Sequence, residues 1–152
     1  MERLAFEDLY MPDTSAIIEH VVSNLIERGV IRGRVLIHSA LIAFFETKAS
    51  EGHITGILGL RELVKLRELA DRGLTLVEVV GEERRDLDED IDRVVRLYAA
   101  KSGAKVVTCN EIQYLACKAM GIEVLFVRPE REEALMLSLI HISEPTRPLY
   151  IS

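Results

Sequence analysis

The chain has 152 residues, 49% of them hydrophobic, a formal net charge of −6 and 2 cysteines. That length suits one domain with a substantial core, and the acidic balance opposes broad electrostatic capture of nucleic acid. No apolar window approaches the roughly eighteen residues of a membrane span, and Met1-Glu2-Arg3 with Glu7 and Asp8 is unlike a secretory leader; a cytoplasmic location is expected.

Leu9 to Met11 reads as a first strand. Ile17, Val21 and Leu25, with Ile18, Val22 and Ile26, recur at helical spacing and predict one helix ended by Gly29. Arg34 to Ile37 reads as a second strand, and Ser39 is placed to cap a helix through Glu46 to about Ser50. Gly52, Gly56 and Gly59 punctuate the next stretch, before an amphipathic helix built on Leu60, Leu63, Val64, Leu66 and Leu69 that ends at Gly73. Leu74 to Val80 is β-branched and reads as a third strand. Charged residues from Gly81 to Asp90 form a solvated loop. Asp86 and Glu89 then have the spacing of a capping box for a helix holding Ile91, Val94, Val95 and Tyr98. Lys105 to Val107 is a fourth strand. Thr108 with Glu111 offers a second box for a helix to Met120, and Ile122 to Val127 is the fifth strand. Strands alternating with helices predict a parallel sheet of about five strands in a three-layer α/β/α sandwich. Cys109 and Cys117, eight apart in one helix, are more than two turns apart and are expected to be reduced thiols rather than a disulfide.

Four short stretches that read as strand ends carry oxygen-bearing side chains. They are Pro12-Asp13-Thr14-Ser15, Glu46, Asp92 and Thr108-Cys109-Asn110. Oxygen ligands gathered at the carboxyl ends of parallel strands suit a hard cation, Mg²⁺ or Mn²⁺, and point to metal-assisted hydrolysis of phosphodiesters. One of the four is an amide, which brings no charge. His20, His38 and His53 have no metal-ligand spacing, so zinc is not expected. No Gly-x-Ser-x-Gly elbow and no phosphate-binding Gly-x-x-x-x-Gly-Lys-Ser/Thr loop occur.

Tyr10-Met11-Pro12-Asp13-Thr14-Ser15-Ala16, Asp92 early in a helix, and Thr108-Cys109-Asn110 together resemble a PIN domain over residues 9–128. A narrower resemblance, in Gly56-Ile57-Leu58-Gly59-Leu60-Arg61-Glu62-Leu63, Asn110-Glu111-Ile112-Gln113 and Ala119-Met120-Gly121-Ile122, is to the N-terminal PIN domain of archaeal PIN-domain ATPases. It implies a PIN-like nuclease fold, with residues 1–8 as an extension and 129–136 as the start of a linker to an ATPase motor and a KH-type module. Residues 137–152, from Leu137, resemble a translated sequencing-library adapter, and the natural sequence is expected to continue differently past Met136.

The resemblance implies Asp13 and Asp92 as catalytic acids and cation ligands, Asn110 as a third ligand where the family has Asp, and Glu46 as a catalytic acid. Phe44 stands where the family's first Glu of a pair is expected, and Glu46, about 200° around the helix, is no simple substitute. Thr14, Ser15, Thr108 and Asp88 are expected to support the ligands. Each also has a plain structural role available: Asp13 and Thr108 as helix caps, Asp92 and Glu46 as solvated helix charges. Lys48, His53 and Arg61 are candidates to meet phosphates at the rim. Three functions stay open: a Mg²⁺/Mn²⁺-dependent endoribonuclease acting on single-stranded RNA; a degenerate PIN domain serving nucleic-acid binding or homo-oligomeric assembly, with the Gly56-to-Leu69 helix as interface; and a stand-alone toxin ribonuclease.

Overall fold

The computed structural model describes residues 8–82 and 90–129. Asp86, Asp88 and Glu89, with nearly all of the 1–8 and 129–136 segments and the whole 137–152 tail, lie outside them. Five strands, β1 (Leu9–Pro12), β2 (Arg34–His38), β3 (Leu76–Val80), β4 (Lys105–Thr108) and β5 (Val124–Phe126), form one parallel sheet in the order β3-β2-β1-β4-β5. The helices are α1 (Thr14–Ile18), α2 (Val21–Glu27), α3 (Ser39–Ser50), α4 (Ile54–Asp71), α5 (Ile91–Ser102) and α6 (Glu111–Ala119).

Alternation along the strands divides the core in two, because successive side chains leave opposite faces of a sheet. Tyr10, Val35, Ile37 and Val107 meet Ala16, Ile17, Val22, Leu25, Phe45, Leu66 and Leu69 of the first four helices. Met11, Leu36 and Val106 meet Val95, Ala99 and Cys117 of α5 and α6. The architecture is therefore the expected α/β/α sandwich. Chain order reverses between β1 and β4, and the crevice above that pair is where open parallel sheets bind ligands.

Four local expectations are corrected. The first helix is two, because the chain breaks at His20, a non-glycine residue at φ 61°. His20 supplies no side-chain cap to α2; Glu62, buried on α4, accepts hydrogen bonds from the Ser23 N–H and hydroxyl, both at 2.9 Å. A cap delivered from another helix leaves no mark in the local pattern. Gly56 and Gly59 lie inside α4 rather than before it: α4 packs against α3 so closely that a Cβ on Gly59 would overlap the Phe45 ring. His38, not Ser39, caps α3, its Nδ1 accepting from the Ala40 N–H at 3.0 Å, while Ser39 donates to Gly81 O. Asp90 caps α5 by accepting from the Asp92 N–H, and Asn110 caps α6 by accepting from the Ile112 N–H at 2.8 Å; the box read from Thr108 does not set the α6 end, and the one read from Asp86 lies outside the described residues. Both cysteines are free, and among the described residues no helix is long and apolar enough to cross a membrane.

Candidate active site

The end of β1 delivers Asp13 to the crevice between β1 and β4, since the Asp13 N–H still bonds to Val107 O as the chain leaves the sheet. Its side chain is fully buried. One oxygen accepts from the Ala16 N–H (3.0 Å) and the Ser15 hydroxyl (2.8 Å); the other accepts from the Thr108 hydroxyl at 2.6 Å. Asp13 thus caps α1 and gathers β4 at once. Thr108 in turn accepts from the Asn110 N–H, and Ser15 Oγ accepts from the Cys109 N–H.

Asp92 enters from α5, where the Thr14 hydroxyl donates to its Oδ1 at 3.1 Å. Its pKa is raised to about 6, first by burial and then by the charge of Asp13, against the lowering effect of Thr14. Burial likewise lifts Asp13, which the hydrogen bonds from Thr108, Ala16 and Ser15 partly offset. Burial and the same negative field, from Asp13 and then Glu19, push the Cys109 thiol up to about 12, so it is not a nucleophile at neutral pH. Two neighbouring carboxylates whose charged forms are both disfavoured make a site poised to accept positive charge.

Asn110 reaches the same strand end, and its amide oxygen is engaged at the start of α6 while keeping a second lone pair. Glu46 is exposed on α3, and no side-chain hydrogen bond or ion pair among the described residues joins it to Asp13, Asp92 or Asn110. Phe44 is half-buried against the core, with Lys48 5.6 Å from its ring. Among the described residues no three of His, Cys, Asp and Glu gather as a metal cluster. Hydrogen bonds therefore join Asp13, Asp92, Thr14, Ser15 and Thr108 into one group, to which Asn110 is tied by its backbone N–H on Thr108.

Two supporting residues escaped sequence reasoning. Gln113, buried on α6, donates to Asp92 O at 3.0 Å and accepts from Arg96 Nη1 at 2.7 Å, tying the start of α5 to α6 beneath the acids. The available signal was spacing: Gln113 lies three residues past Asn110, on the same side of the helix.

The raised Asp92 pKa has a stability consequence. Between pH about 4 and 6 the folded state holds a proton that the unfolded chain has released, so stability falls as pH rises through that window and stays low above it. In metal-free buffer at pH 7.5, Asp92→Asn is expected to raise unfolding stability by about 1–2 kcal/mol, a figure discounted for the partly solvated side of the carboxyl. The gain should shrink to near zero below about pH 4. Urea midpoints at the two pH values test this, and an Asp92→Asn protein less stable than wild type at pH 7.5 contradicts it.

No family model matches the chain. Over 123 residues, 81% of its length, it is 32% identical to a Holliday junction branch migration ATPase of Sulfolobus acidocaldarius, of which the match covers 24%. Over 146 residues it is 30% identical to a KH- and PIN-domain-containing protein of Methanocaldococcus jannaschii, covering 91% of this chain and 23% of that protein. A solved domain of a functionally unknown protein from Methanocaldococcus jannaschii superposes with a TM-score of 0.74 at 27% identity, over 95% of this chain and 99% of that one. The chain spans about a quarter of the length of the curated relatives it matches.

Proposed function

We infer, since this chain is a PIN-domain relative of archaeal ATPases, that it is a divalent-cation-dependent phosphodiesterase module acting on RNA within a larger cytoplasmic ATPase. The observation that carries this reading is the Asp13–Asp92 pair at the β1–β4 switch point, with both carboxyl pKa values raised. Its donors are hard oxygens, two of them carboxylate, and Asp13 and Asp92 keep lone pairs beyond those used by the Ser15, Thr108 and Thr14 hydroxyls. That chemistry fits Mg²⁺ or Mn²⁺. Asp13 and Asp92 would hold the ion, with Asn110 as a neutral third donor. When bound it supplies Lewis-acid stabilisation of charge developing on a phosphoryl oxygen.

The chain's own groups do the rest. Thr108 and Ser15 fix the orientation of the Asp13 carboxylate, and Thr14 that of Asp92. Gln113 and Arg96 hold the α5 backbone that carries Asp92. Asp92, the more open acid, is placed to orient a water beside the ion it would help to hold.

A specific observation favours a second reading, a PIN domain kept for nucleic-acid binding or assembly beside a motor. Glu46 is exposed, Phe44 is packed and Asn110 is uncharged, so the site holds two negative charges where a full set holds more. The deciding assay is cleavage of a 5′-labelled single-stranded RNA by the whole chain in about 1 mM Mn²⁺, roughly a hundredfold excess over an ion held at about 10 μM. Cleavage lost at least 100-fold in Asp13→Asn supports the hydrolase. Equal rates in wild type and variant, or no cleavage at all, leave the binding module.

A further inference from the structure

A cavity of about 940 Å³ lies between α2, α4 and the chain leaving β5, outside the acidic site. Its size is near the upper end of ordinary ligand pockets. In a chain of net charge −6 its lining is unusual, because Arg28, Arg61, Lys65 and Arg128 all face it. Three glutamates also line it, but two are already engaged. Glu62 accepts from Ser23 and from His20 Nδ1 at 2.9 Å, and Glu27 lies 3.3 Å from Lys65 in a half-exposed pair of little strength. Arg28, Arg61 and Arg128 make no ion pair among the described residues.

The cavity adjoins the acids. Its β5 wall includes Val127, whose N–H bonds to Thr108 O at 2.9 Å, and the Thr108 hydroxyl binds Asp13. Glu19, which also lines the cavity, is close enough for its charge to reach Cys109 together with that of Asp13. Arg61 and Lys65 follow one another along one face of α4, a helical turn or about 6 Å apart, close to the separation of adjacent phosphates in an extended strand. At the β5 end the Arg128 guanidinium sits 5.7 Å over the Phe126 ring, and Tyr114 lies 5.3 Å from the same ring.

We propose that this cleft is a single-strand track: Arg61, Lys65 and Arg28 take backbone phosphates, and the Phe126–Arg128 pair stacks a base, leading the strand to Asp13. The proposal rests on the hydrolase reading for its direction, but not for binding. A basic groove beside an aromatic–guanidinium platform is the usual chemistry of single-strand capture, since the groove follows the backbone and every base offers a π-face. A duplex, with its bases stacked inward, offers the platform nothing.

The test is fluorescence anisotropy of a labelled oligouridine on the whole chain in EDTA, across a salt series. Arg61→Gln/Lys65→Gln is expected to weaken binding at least tenfold. The double variant should also flatten the log–log salt slope by about 1.4, or 0.7 for each phosphate no longer neutralised. Arg128→Gln should weaken binding without matching that slope change. Lys101→Gln, on α5 outside the cleft, removes one charge as a control and should change affinity less than twofold. An unbound wild type, an equal loss in Lys101→Gln, or a duplex that competes as well as the single strand would each overturn the cleft. Cleavage without dependence on Arg61 and Lys65 sinks the cleft and spares the hydrolase; binding that depends on them without cleavage does the reverse.

Discussion

Mn²⁺ at 1 mM is expected to raise the unfolding temperature of the chain by about 8 °C at pH 7.5, and Asp13→Asn should abolish the gain. The size follows from linkage: an ion held at roughly 10 μM and present at a hundredfold excess stabilises by about 2.7 kcal/mol, which in a domain of this size is worth several degrees. The cause is local. Asp13 and Asp92 disfavour each other's charge in a buried crevice, and a cation between them relieves both penalties. Protons compete for the same oxygens. As pH falls through about 6 Asp92 takes up its proton, so the Mn²⁺ effect should be about halved by pH 5 and largely gone by about pH 4. Asn110→Asp offers the opposite arm. Asp caps helices as well as Asn, so α6 should be undisturbed, while a third negative charge at the strand end should tighten Mn²⁺ about tenfold. Titration calorimetry on wild type and both variants reads all three. No heat even at millimolar Mn²⁺ in wild type, with binding restored in Asn110→Asp, would mean that the amide has emptied the site, and the assembly module would lead. Mn²⁺ binding unchanged in Asp13→Asn would place the ion elsewhere.

The acidic pair was legible because strand ends are legible. Tyr10-Met11-Pro12 before Asp13, and Val106-Val107 before Thr108, are apolar runs that stop at polar side chains. Parallel pairing then forces those ends to one edge of the sheet. The sheet itself followed from alternation of strand and helix signals. What stayed hidden depends on contacts between distant residues. Nothing in Ile17 to Leu25 marks the break at His20, because Glu62, some forty residues on, supplies the cap. The helix caps at His38, Asp90 and Asn110 each lie within a few residues of a second competent capping residue, and only the path of the chain chooses between them. Gln113 read as an ordinary helix residue until α5 was laid against it. Glu46 was the reverse case: a sequence neighbour of a family motif whose helix face turns it to solvent.

Gly56→Ala should cost about 3 kcal/mol or more of unfolding stability, although alanine is the better helix former by about 1 kcal/mol. Gly56 is buried inside α4, and a Cβ there would overlap Ala49 N and lie 2.6 Å from Phe45 O and 2.7 Å from Ala49 Cα. All three are backbone atoms of α3, so no rotamer change can make room and the two helices must separate. Gly59→Ala meets the Phe45 ring instead, and because that ring is fully buried the substitution should be nearly as costly. Gly73→Ala sets the scale for backbone strain alone: φ is +83° with nothing within 4 Å of the added carbon, so about 1 kcal/mol is expected. Urea midpoints should rank the losses Gly56→Ala above Gly59→Ala above Gly73→Ala; Gly56→Ala within about 1 kcal/mol of wild type would show that α3 and α4 do not need this approach. The effect should also reach function. Displacing α4 pulls Glu62 away from Ser23 and His20 and shifts Arg61 and Lys65 on the next turns. A partly destabilised Gly59→Ala protein, still folded at low temperature, should therefore lose oligouridine affinity while keeping its Mn²⁺ response, because Asp13, Thr108 and Asp92 are held by β1, β4 and α5 rather than by α4.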